Sequence, residues 1–151
     1  MEERTKIFKH RRNFMVEKLN SAPGLSVSIP QGAFYLFASC ESLLGKSTKS
    51  GKLINNYLDF TEYLLEDHLV AVVPGIAFGL KNFIRISYAA SQDQLEIGCN
   101  SIIKACQDIY YISLKLYDKS NNFTPENEFI VQDCRNAEYV VSKSLSNKIA
   151  T

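Results

Sequence analysis

The chain carries almost no net charge. Seventeen lysines and arginines against sixteen aspartates and glutamates leave +1 over 151 residues. That balance excludes the global basic field that recruits nucleic acid or an anionic membrane surface. Long apolar runs are also missing, and no segment is long enough to span a bilayer. The start, Met1-Glu2-Glu3-Arg4-Thr5-Lys6, is charged and leads into no apolar signal core, so a cytoplasmic protein is expected. Cysteines are few. Cys40, Cys99, Cys106 and Cys134 contain no Cys-x-x-Cys pair and no zinc-like spacing, which fits a reducing compartment. His10 and His68 are the only imidazoles, and neither forms a Cys–His dyad, so no metal site is expected. There is no internal repeat and no low-complexity tract.

What is present suits a soluble globular domain: 46% hydrophobic and 22% charged residues, on a chain long enough to bury a core. Residues 4–20 have the apolar period of a helix through Ile7, Phe8, Phe14, Met15 and Leu19, with the Lys9–Arg12 basic cluster as a solvated face. Ser21-Ala22-Pro23-Gly24 stops that helix. A short strand is expected at Leu25–Ile29, a turn at Pro30-Gln31-Gly32, and a strand covered on both faces at Ala33–Ala38. Residues 45–56, rich in Gly, Ser, Lys and Asn, read as an exposed loop.

Asp59-Phe60-Thr61-Glu62 carries a helix-start signal, with Asp59 as the cap. That helix is followed by a buried strand at Val70–Val73, a Pro74-Gly75 break and a loop over Ile76–Leu80. Ser91-Gln92-Asp93-Gln94 forms a second capping box. Leu95, Cys99, Ile102, Ile103 and Cys106 follow at helical spacing, with Cys99 and Cys106 as core residues on one face. The order α, β, β, α, β, β, α implies an α+β fold of two layers, helices on a small sheet. Beyond Gln107 the character changes. Asp108–Ile112 can continue the helix or begin a strand, and Lys119–Asn122 reads as a polar loop. Glu128–Gln132 suggests a strand and Ala137–Ile149 a weak helix.

Arg85 is the most informative residue. It stands alone in the apolar strand Asn82-Phe83-Ile84-Arg85-Ile86-Ser87-Tyr88-Ala89-Ala90, where a buried charge needs a partner. No acid lies in that strand. Either Arg85 points to water, or its partner comes from another segment or from a ligand carboxylate.

Five ordered segments together resemble the C-terminal part of bacterial aspartate-type aminotransferases, class I enzymes of the fold-type I family that use pyridoxal 5′-phosphate. They are Glu17-Lys18-Leu19-Asn20 with Pro23-Gly24-Leu25, then Pro30-Gln31-Gly32-Ala33-Phe34-Tyr35-Leu36-Phe37, then Tyr63-Leu64-Leu65-Glu66. Val70-Ala71-Val72-Val73-Pro74-Gly75-Ile76-Ala77-Phe78-Gly79 and Phe83-Ile84-Arg85-Ile86-Ser87-Tyr88-Ala89 complete the set. The likeness extends from Arg11 to Gln107 and is nearest to aspartate/prephenate aminotransferases.

The resemblance implies that residues 1–107 are the small domain and 108–151 a separate tail. It implies that Arg85 grips the substrate α-carboxylate, for which a planar guanidinium with two parallel charge-assisted bonds is suited. Phe34 is implied at the pocket wall, with core packing of an aromatic strand as the alternative. Gly75 and Gly79 are expected to serve turns at positive φ. The substrates implied are an amino acid such as aspartate and a 2-oxo acid.

The family chemistry also needs a lysine in a Ser-x-Ser-Lys type segment, and the 151 residues contain none. Lys46, Lys49 and Lys52 lie in polar stretches expected to leave their pKa unlowered. No catalytic residue is therefore assigned, and the cofactor is expected not to be held by this chain alone. The chain is expected to be inactive by itself, and three origins stay open: a split or decaying gene, a truncated chain, or one half of an enzyme that works with a separately encoded N-terminal half; the resemblance also implies a homodimer for the intact enzyme. The alternative to an enzymatic role is an orphan domain acting in protein interaction, or a split-gene relic.

Overall fold

The structure, a computed structural model, describes residues 2–121, with side-chain surroundings for residues 3–110. The chain divides into two units, Met1–Leu114 and Lys115–Thr151, and the fold is that of the first. The strand expected at Glu128–Gln132, the helix at Ala137–Ile149 and Cys134 lie outside the described residues.

Helix α1 spans Glu2–Asn20. Met15, Val16 and Leu19 are its buried residues, and Phe8 and Phe14 pack partly against the core. Ile7, expected on the core face, is 45% exposed. The basic cluster is not wholly a solvated face: Arg11 lies over the Phe8 ring, and Arg12 donates to the Pro30 carbonyl. At the helix end Asn20 pairs with the backbone of Val27 like a neighbouring strand, donating from Nδ2 to Val27 O and accepting from Val27 N, both at 2.9 Å.

The main sheet has four strands in the order β1-β2-β6-β5, all pairs antiparallel. They are β1 (Ser26–Val27), β2 (Tyr35–Ser39), β5 (Val73–Pro74) and β6 (Phe83–Ser87). Its centre is the β2–β6 ladder, in which Leu36 faces Ile86, Ala38 faces Ile84, and Phe37 faces Arg85. Period-2 alternation sorts these side chains. Leu36, Ala38, Ile84 and Ile86 are buried on the inner face, and Tyr35, Phe37, Phe83 and Arg85 are half-buried on the outer face. Strand β2 is thus covered on one side only, contrary to the expectation from its apolar run.

Residues 45–56 are not a plain loop. They form a hairpin of β3 (Lys46–Ser47) and β4 (Leu53–Ile54), closed by Gly45 N to Ile54 O at 2.7 Å and Thr48 N to Lys52 O at 2.8 Å. Helix α2 (Tyr57–His68) begins two residues before the expected cap. Asn56 is the N-cap, its side chain accepting from Leu58 N and Asp59 N, while Asp59 Oδ2 turns back to accept from Asn55 N. The chain leaves α2 through Leu69 in the left-handed conformation (φ 56°, ψ 34°), and of the expected 70–73 strand only Val73 pairs, joined by Pro74, which was expected to break it.

A 3₁₀ turn, Gly75–Phe78, stands where a loop was expected. Helix α3 runs unbroken over Gln92–Asn121, so Asp108–Ile112 continues it and Lys119–Asn121 is helical rather than loop. Ser91 and Gln94 exchange bonds at its start, 3.4 Å each, as the capping box requires.

The inner sheet face and the three helices share one core, including Phe60, Leu64, Tyr88, Leu95, Cys99, Ile102 and Cys106. Each fully buried side chain of this size contributes about 1.5–3 kcal/mol. The fold is a two-layer α+β domain, with the half-buried outer face of the β2–β6 ladder turned away from this core.

Candidate functional site

The outer face is built by three short pieces of chain. Strand β2 presents Tyr35 and Phe37, β6 presents Arg85, and the 3₁₀ turn brings Phe78 over the sheet edge. The Arg85 guanidinium carbon lies 4.4 Å from the Phe78 ring centroid and 5.0 Å from that of Tyr35. Phe37 packs edge-on to both Phe78 (5.7 Å) and Tyr35 (5.8 Å). Phe34, 55% exposed, adds a T-shaped contact to Tyr35 at 5.5 Å.

Among the described residues Arg85 therefore neither extends freely into water nor pairs with an acid. The ion pairs among the described residues join Lys52 to Glu62 and Glu66, and no hydrogen bond there uses the Arg85 guanidinium. Its cation–π contacts hold the planar group in place, at about 0.5–1 kcal/mol each for a half-exposed site. They leave its five N–H donors without an acceptor among the described residues. A planar guanidinium held in this way can take a carboxylate through two parallel charge-assisted bonds.

The remaining titratable groups do not converge there. Burial pushes the Cys40 and Cys99 thiols up to about 11 and the Cys106 thiol further still, so all three are inert core residues. His68 Nε2 lies 2.9 Å from the Tyr63 hydroxyl, at the end of α2. No cluster of metal-ligating side chains occurs among the described residues, and none of the described helices is long and apolar enough to cross a membrane.

Both glycines expected at positive φ belong to the Phe78 turn, and they differ. Gly79 has φ 76°. Gly75 does not have a positive φ; it is required by space, since a Cβ there would lie 2.5 Å from Leu80 O and 2.7 Å from Phe83 O.

Residues 1–102 match the family model for aminotransferase class I and II. The chain belongs to this family. Aspartate aminotransferase of Rhizobium meliloti is 51% identical over 106 residues, covering 70% of this chain and 26% of the relative. A probable aspartate/prephenate aminotransferase of Rickettsia felis is 49% identical over 102 residues, covering 68% of this chain and 25% of the relative. Among solved structures, the Rhizobium meliloti aspartate aminotransferase superposes with a TM-score of 0.70 at 50% identity. That match covers 72% of this chain and 27% of the other. An alanine aminotransferase from Pyrococcus furiosus superposes with a TM-score of 0.61 at 28% identity, covering 70% and 25%. The chain thus spans about a quarter of the length of the curated relatives it matches.

Intact aminotransferases of this family imply pyridoxal 5′-phosphate. The residues described here do not fit that cofactor by themselves. A cofactor-binding lysine is normally desolvated or set beside another cation to lower its pKa. Lys52 instead lies against Glu62 Oε2 at 2.9 Å and Glu66 Oε2 at 3.5 Å, which push its pKa up. Lys49 is exposed, and Lys46, half-buried in β3, lies over the Tyr110 ring at 4.9 Å.

Sequence reasoning missed Tyr35, Phe37 and Phe78 as neighbours of Arg85. The signal for the first two was available in the alternation Tyr35-Leu36-Phe37-Ala38, had the strand been read as one-sided. Phe78 carried none, because a turn seven residues away from Arg85 brings it there.

Proposed function

We propose that residues 1–107 are the small domain of an aspartate-type aminotransferase and that residues 108–151 are a tail outside it. In this reading Arg85 receives the α-carboxylate of an amino acid or 2-oxo acid, and Phe34 forms the pocket wall beside it. The observation that carries the proposal is the guanidinium of Arg85, held between Tyr35 and Phe78 with no carboxylate partner among the described residues. The likeness to aspartate and aspartate/prephenate aminotransferases supports a dicarboxylic substrate. The cofactor and its lysine would come from a large domain or separate N-terminal half, in a homodimer, located in the cytoplasm. This chain by itself would not transaminate.

The test is a hybrid in which residues 1–107 replace the corresponding segment of the Rhizobium meliloti enzyme. Transamination of aspartate by the cofactor-loaded hybrid is expected. A folded, cofactor-loaded hybrid without activity would overturn the proposal.

A second reading, a non-enzymatic interaction domain, draws on Phe34, Ile76, Phe78 and Leu80, exposed around the same face. It predicts concentration-dependent self-association in sedimentation, whereas a monomer at every concentration speaks against it.

A further inference from the structure

The turn that delivers Phe34 is exposed and strained, yet it is held from beneath. Residues 31–34 are all exposed. Ala33 adopts φ 67°, a left-handed conformation that costs a residue with a Cβ about 1–2 kcal/mol. Three successive anchors meet its carbonyls. Arg12 Nη1 donates to Pro30 O at 3.2 Å. The Tyr88 hydroxyl donates to Ala33 O at 2.8 Å. The Tyr88 backbone N–H donates to Phe34 O at 2.8 Å, joined by Ser87 Oγ at 3.3 Å.

Tyr88 is 2% exposed and its ring packs at 6.2 Å from Phe8 of α1. A phenylalanine would fill that space equally well. The hydroxyl is what an apolar core would avoid unless it had work at the end of the ring, and its partner is the carbonyl of the strained residue. Burial pushes the phenol pKa up, so the group is a proton donor throughout the neutral range. Arg12 is half-buried, and its Nε and Nη2 also donate to Asn13 Oδ1, at 3.1 and 2.9 Å. Two long side chains, one from α1 and one from just past β6, thus bond a turn whose residues 31–34 are exposed.

We propose that Arg12 and Tyr88 are positioning residues. Their bonds to the carbonyls of Pro30 and Ala33 lock the 30–34 turn, so that the Phe34 ring stands against Tyr35 at the rim of the Arg85 receptor. The proposal rests on the reading above in taking Phe34 as a pocket wall; the lock itself is a property of this chain. Its functional content is selectivity. A fixed Phe34 sets the size of side chain that fits beside the carboxylate, and a loosened one relaxes that limit without touching Arg85.

The experiment uses the full 151-residue chain, the variants Tyr88→Phe and Arg12→Met, and nuclear magnetic resonance. The Tyr88 amide, which donates to Phe34 O, reports the lock through hydrogen exchange. It is expected to exchange roughly fivefold to tenfold faster in Tyr88→Phe, as for loss of one neighbouring hydrogen bond. Ala33 is expected to lose its left-handed coupling and shift signature, and contacts between the Phe34 and Tyr35 rings to weaken. Amides of Leu36, Phe37 and Ile84 stay unchanged. Arg12→Met is expected to disturb Gln31 and Gly32 first. A melting temperature that falls in both variants while the Ala33 and Phe34 signals stay put would show plain packing and overturn the lock. The Arg85 Nε–H resonance during titration with sodium succinate tests the carboxylate reading separately. A silent Arg85 over a responsive turn sinks that reading alone, and a responsive Arg85 over an indifferent turn sinks the lock alone.

Discussion

Replacing Gly75 by alanine puts a methyl group where the chain has only backbone. The new Cβ would stand 2.5 Å from Leu80 O, 2.7 Å from Phe83 O and 2.9 Å from Phe83 Cβ, where ordinary contact begins at 3.4 Å. None of these obstacles is the far end of a flexible side chain. Relief must come from the 3₁₀ turn, closed by Leu80 N to Gly75 O at 3.0 Å, or from the start of β6, where Ile84 pairs with Pro74. Overpacking costs about 1–3 kcal/mol, and backbone obstacles place this change at about 2–3 kcal/mol. For a domain of this size that lowers the melting temperature by roughly 8–20 °C. The same movement carries Phe78 away from Arg85. Urea and thermal unfolding followed by circular dichroism measure the loss. Gly79→Ala is the control: open space surrounds it, and only its φ of 76° is strained, so it should cost about 1 kcal/mol. If Gly75→Ala melts within about 2 °C of the parent, or costs less than Gly79→Ala, the close-approach argument fails.

Leu69 holds a left-handed conformation while 87% exposed, so Leu69→Gly should stabilise by about 0.5–1 kcal/mol in urea titrations; a loss of stability would contradict the strain argument. Burial lowers the pKa of His68 despite the neighbouring carboxylates of Asp108 and Asp67, with Lys104 acting in the same direction as burial. A depressed folded pKa means the unfolded chain takes up the proton first. Stability should therefore be full above the ordinary histidine range and decline as pH falls through about 6.5 toward the folded value. Urea midpoints at a series of pH values, against His68→Gln with a flatter profile, check this. Equal slopes in both proteins would count against it.

Much of the layout is legible in the sequence because it follows from periodicity. Helices α1 and α3, the Ser91–Gln94 box and the buried pair Cys99 and Cys106 all read directly from spacing. One misreading arose where local polar chemistry offered two answers. Asp59 and Asn56 both suit a cap, and Asn56 wins because its side chain reaches two amides while Asp59 secures Asn55. The β3–β4 hairpin escaped because two-residue strands, Lys46–Ser47 and Leu53–Ile54, are too short to show alternation and are held by backbone bonds across Gly45–Ile54 and Thr48–Lys52.

At the site, the isolation of Arg85 was visible as a charge in an apolar strand. Its aromatic shelf was not, since Tyr35 comes from the strand across the ladder and Phe78 from a turn. Arg12 and Tyr88 looked like a solvated charge and a strand residue. Their partners on the 30–33 turn lie 18 and 55 residues away and leave no trace in local pattern.

The central claim is that Arg85 receives a substrate carboxylate. The most direct measurement is steady-state kinetics of the hybrid enzyme carrying Arg85→Lys, which keeps the charge but cannot make two parallel bonds. Hydrogen bonds to charged groups are worth about 1.5–3 kcal/mol, so losing one should raise KM for aspartate by roughly 10- to 150-fold. Fold and cofactor loading should stay intact. An unchanged KM in a folded, cofactor-loaded hybrid would contradict the account.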